Sequence, residues 1–397
     1  MYRFKVSAPG TVLLCGEYNK SCAAADLDMR TVLTFSSFPT EVVRKDFIEI
    51  KFSSIRLHMK IPLRIFLLHF FQENYDWTRN PRQVFESVKN FIEFLTGFPG
   101  NYDLDNRAHQ LSLEAFFFLL VTISYEKNII INSSFVVEIS SELPIGEGLG
   151  SSASFVVCLA ACFFRWNLLQ KGTVRYIFNP IDLIYIMKYA SACESFVYNS
   201  SNLFKVRIST NGTLQVFEEE NRMVHFFSDL PSMKILLVFS NVSQKIEQNK
   251  VEIKVKKHLS SSVDSILNSI ETISKKFIQT LKEIKTEMLS LRQQEIFEIN
   301  SVGLINYYKN LMDLIHINQG LLRALGTSHP NLDIICTIAR DFSLGAKIAA
   351  NRKSGYVFTL LLASTSDEYI QDLIKIFESH NFTAKIVSLN CSGVRIE

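Results

Sequence analysis

The sequence of 397 residues lacks a CxxC pair, an arginine-rich arm, a long basic run and any internal repeat. Cysteines in CxxC spacing mark many zinc and thiol redox sites, so neither chemistry is expected. The net charge is only +3, from 42 basic and 39 acidic residues, and without a basic run no nucleic-acid partner is expected. Charged residues make up 20% of the chain against 47% hydrophobic residues, which predicts a folded globular protein, and 397 residues are enough for two domains of ordinary size.

Long apolar runs are also missing. The two most apolar segments, residues 115–123 and 153–164, are shorter than the roughly 18 to 20 residues that span a bilayer, so we expect core segments and no membrane partner. Met1 is followed at once by YRFKVSAPG, with neither an apolar leader nor an arginine-rich presequence. The seven cysteines are odd in number and lie mostly in apolar runs, which is typical of buried thiols in a reducing compartment. The expected location is therefore cytoplasmic.

The apolar pattern of the first half predicts an opening sheet followed by helices. The runs RFKVS, TVLLC, VLTFSS and IEIKF, all near the N-terminus, are short and rich in β-branched and aromatic residues, as strands are. Apolar residues recur at three and four positions over 61–95 and 111–124, which predicts helices beside that sheet. A strand is expected at 134–144 and a helix at 182–198.

A hairpin is predicted at 206–217, because Asn211-Gly212 suits the positive φ angles of a type I′ turn. Residues 199–205 would then form a loop between helix and strand. A second region begins with a strand at 233–240, and we place the domain boundary near residue 230, giving domains 1–230 and 231–397.

The second region contains one long amphipathic pattern. From 263 to 291 a single apolar stripe faces lysines and glutamates, which predicts a helix packed on its own domain or, as an alternative, a coiled coil with a partner. The end of the chain predicts strand, helix and strand.

The segment ELPIGEGLGSSASFVVC, residues 142–158, carries the most specific signal. Its glycines lack the Cβ atoms that would hold a ligand away from the backbone, and the helix predicted to begin at Ser151 would offer unpaired N–H groups to an anion. The pattern is neither GxGxxG nor GxxxxGK[ST]. We expect a phosphate-binding loop at 144–152, with an ordinary turn as the alternative. The candidate nucleotide-binding residues are Pro144, Gly146, Gly148, Leu149, Gly150, Ser151 and Ser152.

PIGEGLGSSAS, together with SAPGTVLLCGEY near the N-terminus, resembles the first two signature motifs of the GHMP small-molecule kinases, and specifically of the mevalonate kinases. The similarity continues in LDMRTVL (27–33), DLIYIMKYASACES (182–195) and the segment 310–336. The resemblance implies an α/β (α+β) fold of two domains, an N-terminal mixed sheet with helices and a C-terminal ferredoxin-like α/β domain. It also implies ATP as co-substrate, Mg²⁺, and transfer of the γ-phosphoryl group to the 5-hydroxyl of mevalonate.

The resemblance assigns Mg²⁺ binding to Ser152 and Glu194, whose oxygens suit a hard cation. Glu17 and Arg30 are candidates for orienting the substrate, with a structural salt bridge as the alternative. Lys205 stands where the family has its catalytic aspartate, and neither Asp nor Glu occurs between residues 195 and 217, so a small alignment shift does not restore it.

Two further departures concern charge. Thr11 stands where the family has an N-terminal lysine, so that no catalytic residue is clearly retained, although Lys205 itself is one source of positive charge. The third family motif aligns with 346–356, where only Lys347 and Gly355 match and Asn351, Arg352 and Lys353 are bulky. Glu147 adds a negative charge inside the phosphate loop.

These features predict a mevalonate kinase homologue with impaired chemistry. The alternatives are a non-catalytic protein that binds a ligand or partner, and a GHMP kinase for galactose, homoserine or a phosphorylated mevalonate. The apolar composition is compatible with a homodimer.

Overall fold

The structure is a computed structural model of the chain. It describes residues 1–18, 21–38, 46–71, 80–200, 203–218, 223–228, 230, 233–242, 260–293, 302–349, 354–362 and 365–397. The bulky residues predicted to alter the third motif, at 351–353, lie outside the described residues.

The first sheet contains eight strands of the described chain. The strands are β1 Arg3–Cys15, β2 Ser21–Ser37, β3 Phe47–Phe52, β4 Leu57–Pro62, β5 Phe135–Ser141, β6 Gln215–Glu218, β7 Met223–Phe226 and β12 Arg395–Ile396. The main path of the sheet runs β12-β1-β2-β5-β3-β4, and β6 pairs with β2 and with β7. Among these strands only β3 and β5 pair in parallel, so the sheet is mixed, as predicted.

The second sheet has four antiparallel strands. They are β8 Lys234–Phe239, β9 Ala346–Ile348, β10 Tyr356–Leu361 and β11 Thr383–Ser388. Their spatial order is β11-β8-β10-β9, so in chain order the strands lie 4-1-3-2. This is the order of a ferredoxin-like sheet, which confirms the predicted fold class of the second half.

Ten helices lie within the described residues. They are α1 Leu63–Phe70, α2 Pro81–Phe94, α3 Arg107–Lys127, α4 Ser151–Gln170, α5 Pro180–Val197, α6 Phe204–Asn211, α7 Ser260–Gln293, α8 Val302–Ala324, α9 Pro330–Asp341 and α10 Asp367–Ser379. The first core packs α3 and α4 against β1, β2, β3 and β5, while α7, α8 and α9 belong to the core around the second sheet. The last strand, β12, pairs back with β1. The domain boundary near residue 230 stays a prediction.

The predicted hairpin at 206–217 is wrong. Residues 204–211 form α6, and Gly212, at φ +73°, ends this helix and does not occupy a hairpin turn. Burial of Val206 and Ile208 against α4, α5 and β1 explains the helix. A glycine with positive φ suits a helix C-terminus as well as a type I′ turn, so the local signal was ambiguous.

The apolar segments 115–123 and 153–164 belong to the core, as predicted. They lie within α3 and α4, two helices that are long and apolar enough to cross a membrane by length and composition alone. Most of each helix is buried within the fold, as in the core of a globular domain. All seven cysteines are free thiols, and Cys22 and Cys391 are the two that are only half-buried.

Candidate nucleotide site

The loop between β5 and α4 has the shape that its glycines require. Gly150 precedes the first residue of α4 at φ +73°, a conformation that L-residues rarely adopt. A Cβ atom at Gly150 would also collide with the Thr11 side chain and lie 2.9 Å from its backbone nitrogen. No side chain caps α4, so the first N–H groups of this 20-residue helix point into the loop without an intrahelical acceptor.

The two N-terminal signature segments contact each other. The Thr11 N–H donates to the Leu149 carbonyl at 2.9 Å, at a register shift of β1 between Pro9 and Thr11. The Thr11 hydroxyl is buried and has no hydrogen-bond partner among the described residues. Thr11 therefore packs against the loop through its backbone N–H and places no charge beside it.

Ser152, Glu194 and Lys205 come together beside this loop. The Ser152 hydroxyl hydrogen-bonds the Glu194 carboxylate. Burial raises the pKa of Glu194, while the Ser152 hydrogen bond and the nearby Lys205 ammonium act in the opposite direction. Side chains from three successive helices, α4, α5 and α6, thus share one polar site at the start of α4.

Lys205 lies in the first turn of α6 and faces the loop. Its Nζ donates to the Gly148 carbonyl at 3.3 Å. Burial lowers the pKa of Lys205, and the Glu194 carboxylate partly offsets this by favouring the ammonium. Lys205 was predicted at the end of the loop 199–205, but α6 begins at Phe204, so the helix fixes the lysine in this position.

An apolar cavity of about 290 Å³ opens next to the loop. Its walls come from the first sheet, α3, α4 and the end of α5, and include Phe52, Leu111, Phe155 and Tyr198. The polar end is formed by Gly146, Ser151 and Ser152. The sequence did not indicate this cavity, because its lining comes from separate elements without a common motif.

Glu147 links the loop to the second half of the chain. Its Oε2 accepts a hydrogen bond from the Gly355 N–H at 2.8 Å. A Cβ at Gly355 would collide with the Val242 carbonyl, so the close approach needs glycine. The Glu147 carboxylate, which was predicted to add a negative charge to the loop, therefore accepts a hydrogen bond from a backbone N–H.

Glu17 and Arg30 are both buried in internal contacts. Glu17 forms an ion pair with fully buried Lys347 and accepts from the Asn318 amide at 3.0 Å. Arg30 donates to the Ser7 hydroxyl at 2.8 Å and to backbone carbonyls of Ser7, Ser392 and Gly393. These contacts use the groups that a substrate would need, so their predicted substrate role gains no support from this geometry.

A family model described as "GHMP kinases N terminal domain" matches residues 118–199. The chain therefore contains a GHMP kinase N-terminal domain. This GHMP region includes the whole glycine loop, α4 and α5, and with them Ser152 and Glu194. Lys205, on α6, lies just beyond its end.

The similarity to mevalonate kinases extends over nearly the whole GHMP-type chain. A mevalonate kinase of Candida albicans is 27% identical over 411 residues, which cover 99% of this chain and 89% of the relative. The solved mevalonate kinase of Methanococcus jannaschii has a TM-score of 0.61 and 16% identity, covering 100% and 99% of the two chains. The structure of L. major mevalonate kinase in complex with R-mevalonate has a TM-score of 0.59 and 13% identity, covering 98% and 96%. The sequence is thus similar to mevalonate kinases over nearly its full length, and the solved structures show that the chain shares their fold.

Proposed function

We propose that this chain binds ATP at the loop 144–152 and that its transfer of phosphate to mevalonate is strongly reduced. The observation that carries the proposal is the placement of Lys205, whose ammonium lies beside Glu194 and the loop, where the resemblance predicts a carboxylate. The loop and its helix supply binding, whereas the group that would accept a proton is missing.

The start of α4 is suited to hold the phosphates. Uncapped N–H groups and the positive end of the helix dipole favour a negative charge at this point. The Lys205 ammonium and the glycine backbone lie around the same space. Backbone donors of this kind do not depend on side-chain identity, so the departures elsewhere in the site leave them unchanged.

The apolar cavity is suited to the adenine base. Its volume of about 290 Å³ and its aromatic and aliphatic walls match a flat, weakly polar ring, and its polar end meets the loop. A base in the cavity would therefore point its ribose and phosphates toward Ser151 and Ser152.

The oxygens of Ser152 and Glu194 fit Mg²⁺. Both are hard donors, and their hydrogen bond shows that they face one another. When bound, Mg²⁺ would neutralise phosphate charge. Lys205 opposes the single carboxylate of this pair, so we expect weak metal binding until nucleotide phosphates add negative charge.

Proton transfer is the step for which the site lacks a residue. A protonated lysine cannot accept the proton of a substrate hydroxyl, and α6 and the strand that follows carry no carboxylate before Glu218. A positioned base typically contributes 10²–10⁴-fold in rate, which is the size of the expected loss.

Two measurements on the same samples of the full chain test the proposal. Calorimetric titration with Mg·ATP, with and without mevalonate, tests nucleotide binding, and an assay for 5-phosphomevalonate tests phosphate transfer. We expect binding heat that depends on nucleotide and little or no product. Turnover that disappears in Lys205→Ala would show that the lysine has become catalytic and would overturn the proposed loss. If the chain shows no ATP binding and no turnover, the proposed nucleotide site is wrong.

A further inference from the structure

A second cavity, of about 790 Å³, lies in the second half of the chain. We call it the α8–α10 cavity, because its walls come from α8, the end of α9, the segment leading into β9, the end of β10 and the start of α10. Its volume is within the range of small-molecule sites, which is about 300–1,000 Å³. The lining residues that carry the argument are Lys309, Asp313, His316, Arg340, Phe342 and Tyr369.

The α8–α10 cavity is distant from the candidate nucleotide site. Strand β10 connects the two, since it follows Gly355, whose N–H binds Glu147 of the phosphate loop, and ends next to Leu362, which lines the cavity. A strand rises about 3.3 Å per residue, so the segment from Gly355 to Leu362 places the two sites roughly 20 Å apart. A nucleotide held by the loop 144–152 therefore does not occupy this cavity.

Two cations line the cavity without an ion-pair partner. Lys309, on α8, and Arg340, in the last turn of α9, form no salt bridge with a described residue. Asp313 is the one carboxylate among the lining residues. Three further acidic residues are close in sequence but are not among the lining residues: Asp341, Asp367 and Glu368. The lining therefore carries an excess of positive charge.

His316 lies beside these cations. Positions 309, 313 and 316 are four and three residues apart, so they share one face of α8. Burial lowers the pKa of His316, and the nearby Arg340 guanidinium lowers it further, while Asp313 acts in the opposite direction. The Nδ1 of His316 is enclosed without a hydrogen-bond partner among the described residues, whereas Nε2 is not enclosed. Nε2 is therefore the nitrogen that can reach a ligand.

The rest of the lining is largely apolar and is held in place by direct contacts. The Phe342 and Tyr369 rings meet edge to face with 5.1 Å between their centroids, and the Tyr369 hydroxyl donates to the Phe342 carbonyl at 2.8 Å. A Cβ atom at Gly345 would collide with the Met312 backbone, so the start of β9 lies directly against α8. The cavity thus combines cationic groups with an apolar, preformed lining.

The charge of the lining distinguishes between possible anions. Lys309, Arg340 and a protonated His316 together exceed Asp313 by two charges, which matches a dianionic phosphate better than a single carboxylate. Arginine binds phosphate through two parallel hydrogen bonds, and lysine binds it as a point charge. The apolar lining favours a ligand that carries more than the phosphate itself.

We propose that the α8–α10 cavity binds a small organic phosphate, in which one phosphate group is joined to an apolar body. The phosphate pairs with Arg340 and Lys309 and accepts a hydrogen bond from His316 Nε2. The apolar body packs against Phe342 and Leu362. This inference does not depend on nucleotide binding at the loop 144–152.

The first test follows the ring signals of His316 by NMR while the full chain is titrated with phenyl phosphate, which joins a phosphate to an aromatic ring. The variant His316→Gln identifies these signals by their loss. We expect saturable shifts and a higher pKa of His316 in the complex, because a bound anion favours the imidazolium. Phenol, which lacks the charge, should shift nothing, and inorganic phosphate, which lacks the ring, should bind at least tenfold more weakly.

Three results of this titration would overturn the proposal. They are His316 signals that do not respond to phenyl phosphate, an equal response to phenol, and an affinity for inorganic phosphate as high as that for phenyl phosphate.

The second test removes the two cations. The same His316 signals should report at least tenfold weaker binding of phenyl phosphate in Arg340→Gln and at least threefold weaker binding in Lys309→Gln. Arg82→Gln, which removes an exposed arginine from α2, is the matched control and should bind normally. Normal binding in both cavity variants would contradict the assignment of the phosphate to these side chains.

Two controls separate this site from the nucleotide site and from effects on folding. Lys205→Met changes the nucleotide site alone, so the His316 response should be unchanged there, and its loss would mean that phenyl phosphate binds at the loop. Arg340 favours the C-terminal end of α9, so Arg340→Gln should lower Tm slightly. Lys309 lies within α8 and has no such role, so Lys309→Gln should keep the wild-type Tm and still bind more weakly.

Discussion

The two ends of the candidate nucleotide site, at the starts of α4 and α6, differ in which of the expected functional groups they contain. At the α4 end lie the glycine loop, the uncapped helix and the apolar cavity, which together form the proposed nucleotide-binding region. At the α6 end, a lysine faces the loop and the described segment between Glu194 and Glu218 contains no carboxylate. Binding at the first end depends mainly on backbone geometry, whereas chemistry at the second depends on single side chains. A single substitution can therefore remove the reaction and leave the binding site whole.

The same comparison explains the unequal roles of the charged residues. Glu147 is held by a backbone N–H and Glu194 by Ser152 and Lys205, so each acidic group near the loop has a local partner. The phosphates of a nucleotide would compete with Glu147 and gain from Lys205. The predictions below change one end of the site at a time.

Lys205→Asp should have the largest effect, because it returns a carboxylate to the α6 end. We expect mevalonate-dependent ADP release to rise by about tenfold or more, below the full range of a positioned base because Thr11 still brings no cation. Lys188→Asp, on the exposed side of α5, is the control for an added charge. An unchanged rate in Lys205→Asp would show that the α6 end is not what limits the reaction.

Gly150→Ala should disrupt the α4 end. The substitution combines unfavourable φ with a collision at Thr11, so we expect about 2 kcal/mol or more of lost stability and at least tenfold weaker ATP binding. Gly172→Ala is the matched control, since Gly172 has φ +74° and open space around its Cβ position. Denaturant unfolding and calorimetry should show a smaller stability loss and normal ATP affinity there, and equal losses in the two variants would argue against the collision.

Lys205→Met should make stability more dependent on pH. Without the ammonium, the folded-state pKa of Glu194 rises further above its unfolded value, so stability is retained below the unfolded pKa and lost as pH rises through the folded pKa. We expect a Tm close to or above wild type at pH 4.5 and a growing deficit toward pH 8. Lys188→Met should show no such trend, and a parallel trend in both variants would exclude the Glu194 pair as its source.

Glu147→Gln should have the smallest effect. Removing the negative charge should strengthen ATP binding by roughly threefold at low salt, with the difference shrinking as salt screens the charge. Glu142→Gln, at an exposed position 3.8 Å from Lys385, is the control. Weaker binding in Glu147→Gln at every salt concentration would mean that its hydrogen bond to Gly355 positions the loop for the nucleotide.

Much of the fold was predictable from local patterns. The opening strands, the strand before the loop, the helix from Ser151 and the long amphipathic helix α7 all lie where their periodicity placed them. In each case the pattern reflects one buried face, which the element needs in any fold of this kind. The ferredoxin-like order of the second sheet followed only from the family resemblance.

The α6 segment shows a structural choice that the local sequence pattern does not determine. RISTNG is compatible with a turn between strands or with the last turn of a helix, because both end in a glycine with positive φ. Packing of Val206 and Ile208 against α4, α5 and β1 decides for the helix. The candidate roles of Glu17 and Arg30 were open for the same reason, since their partners at 318, 347, 392 and 393 are distant in sequence.

By itself the sequence determined the glycine loop, the helix that begins after it, and the absence of a carboxylate between residues 195 and 217. Only the tertiary structure decided that Lys205 faces Gly148 and Glu194, that an apolar cavity adjoins the loop, and that cationic side chains of α8 and α9 line one cavity. The physical reason is the distance along the chain over which each property is set. Backbone conformation and periodicity are set by neighbours in the chain, whereas the charge state and the burial of a side chain depend on residues brought near it by folding.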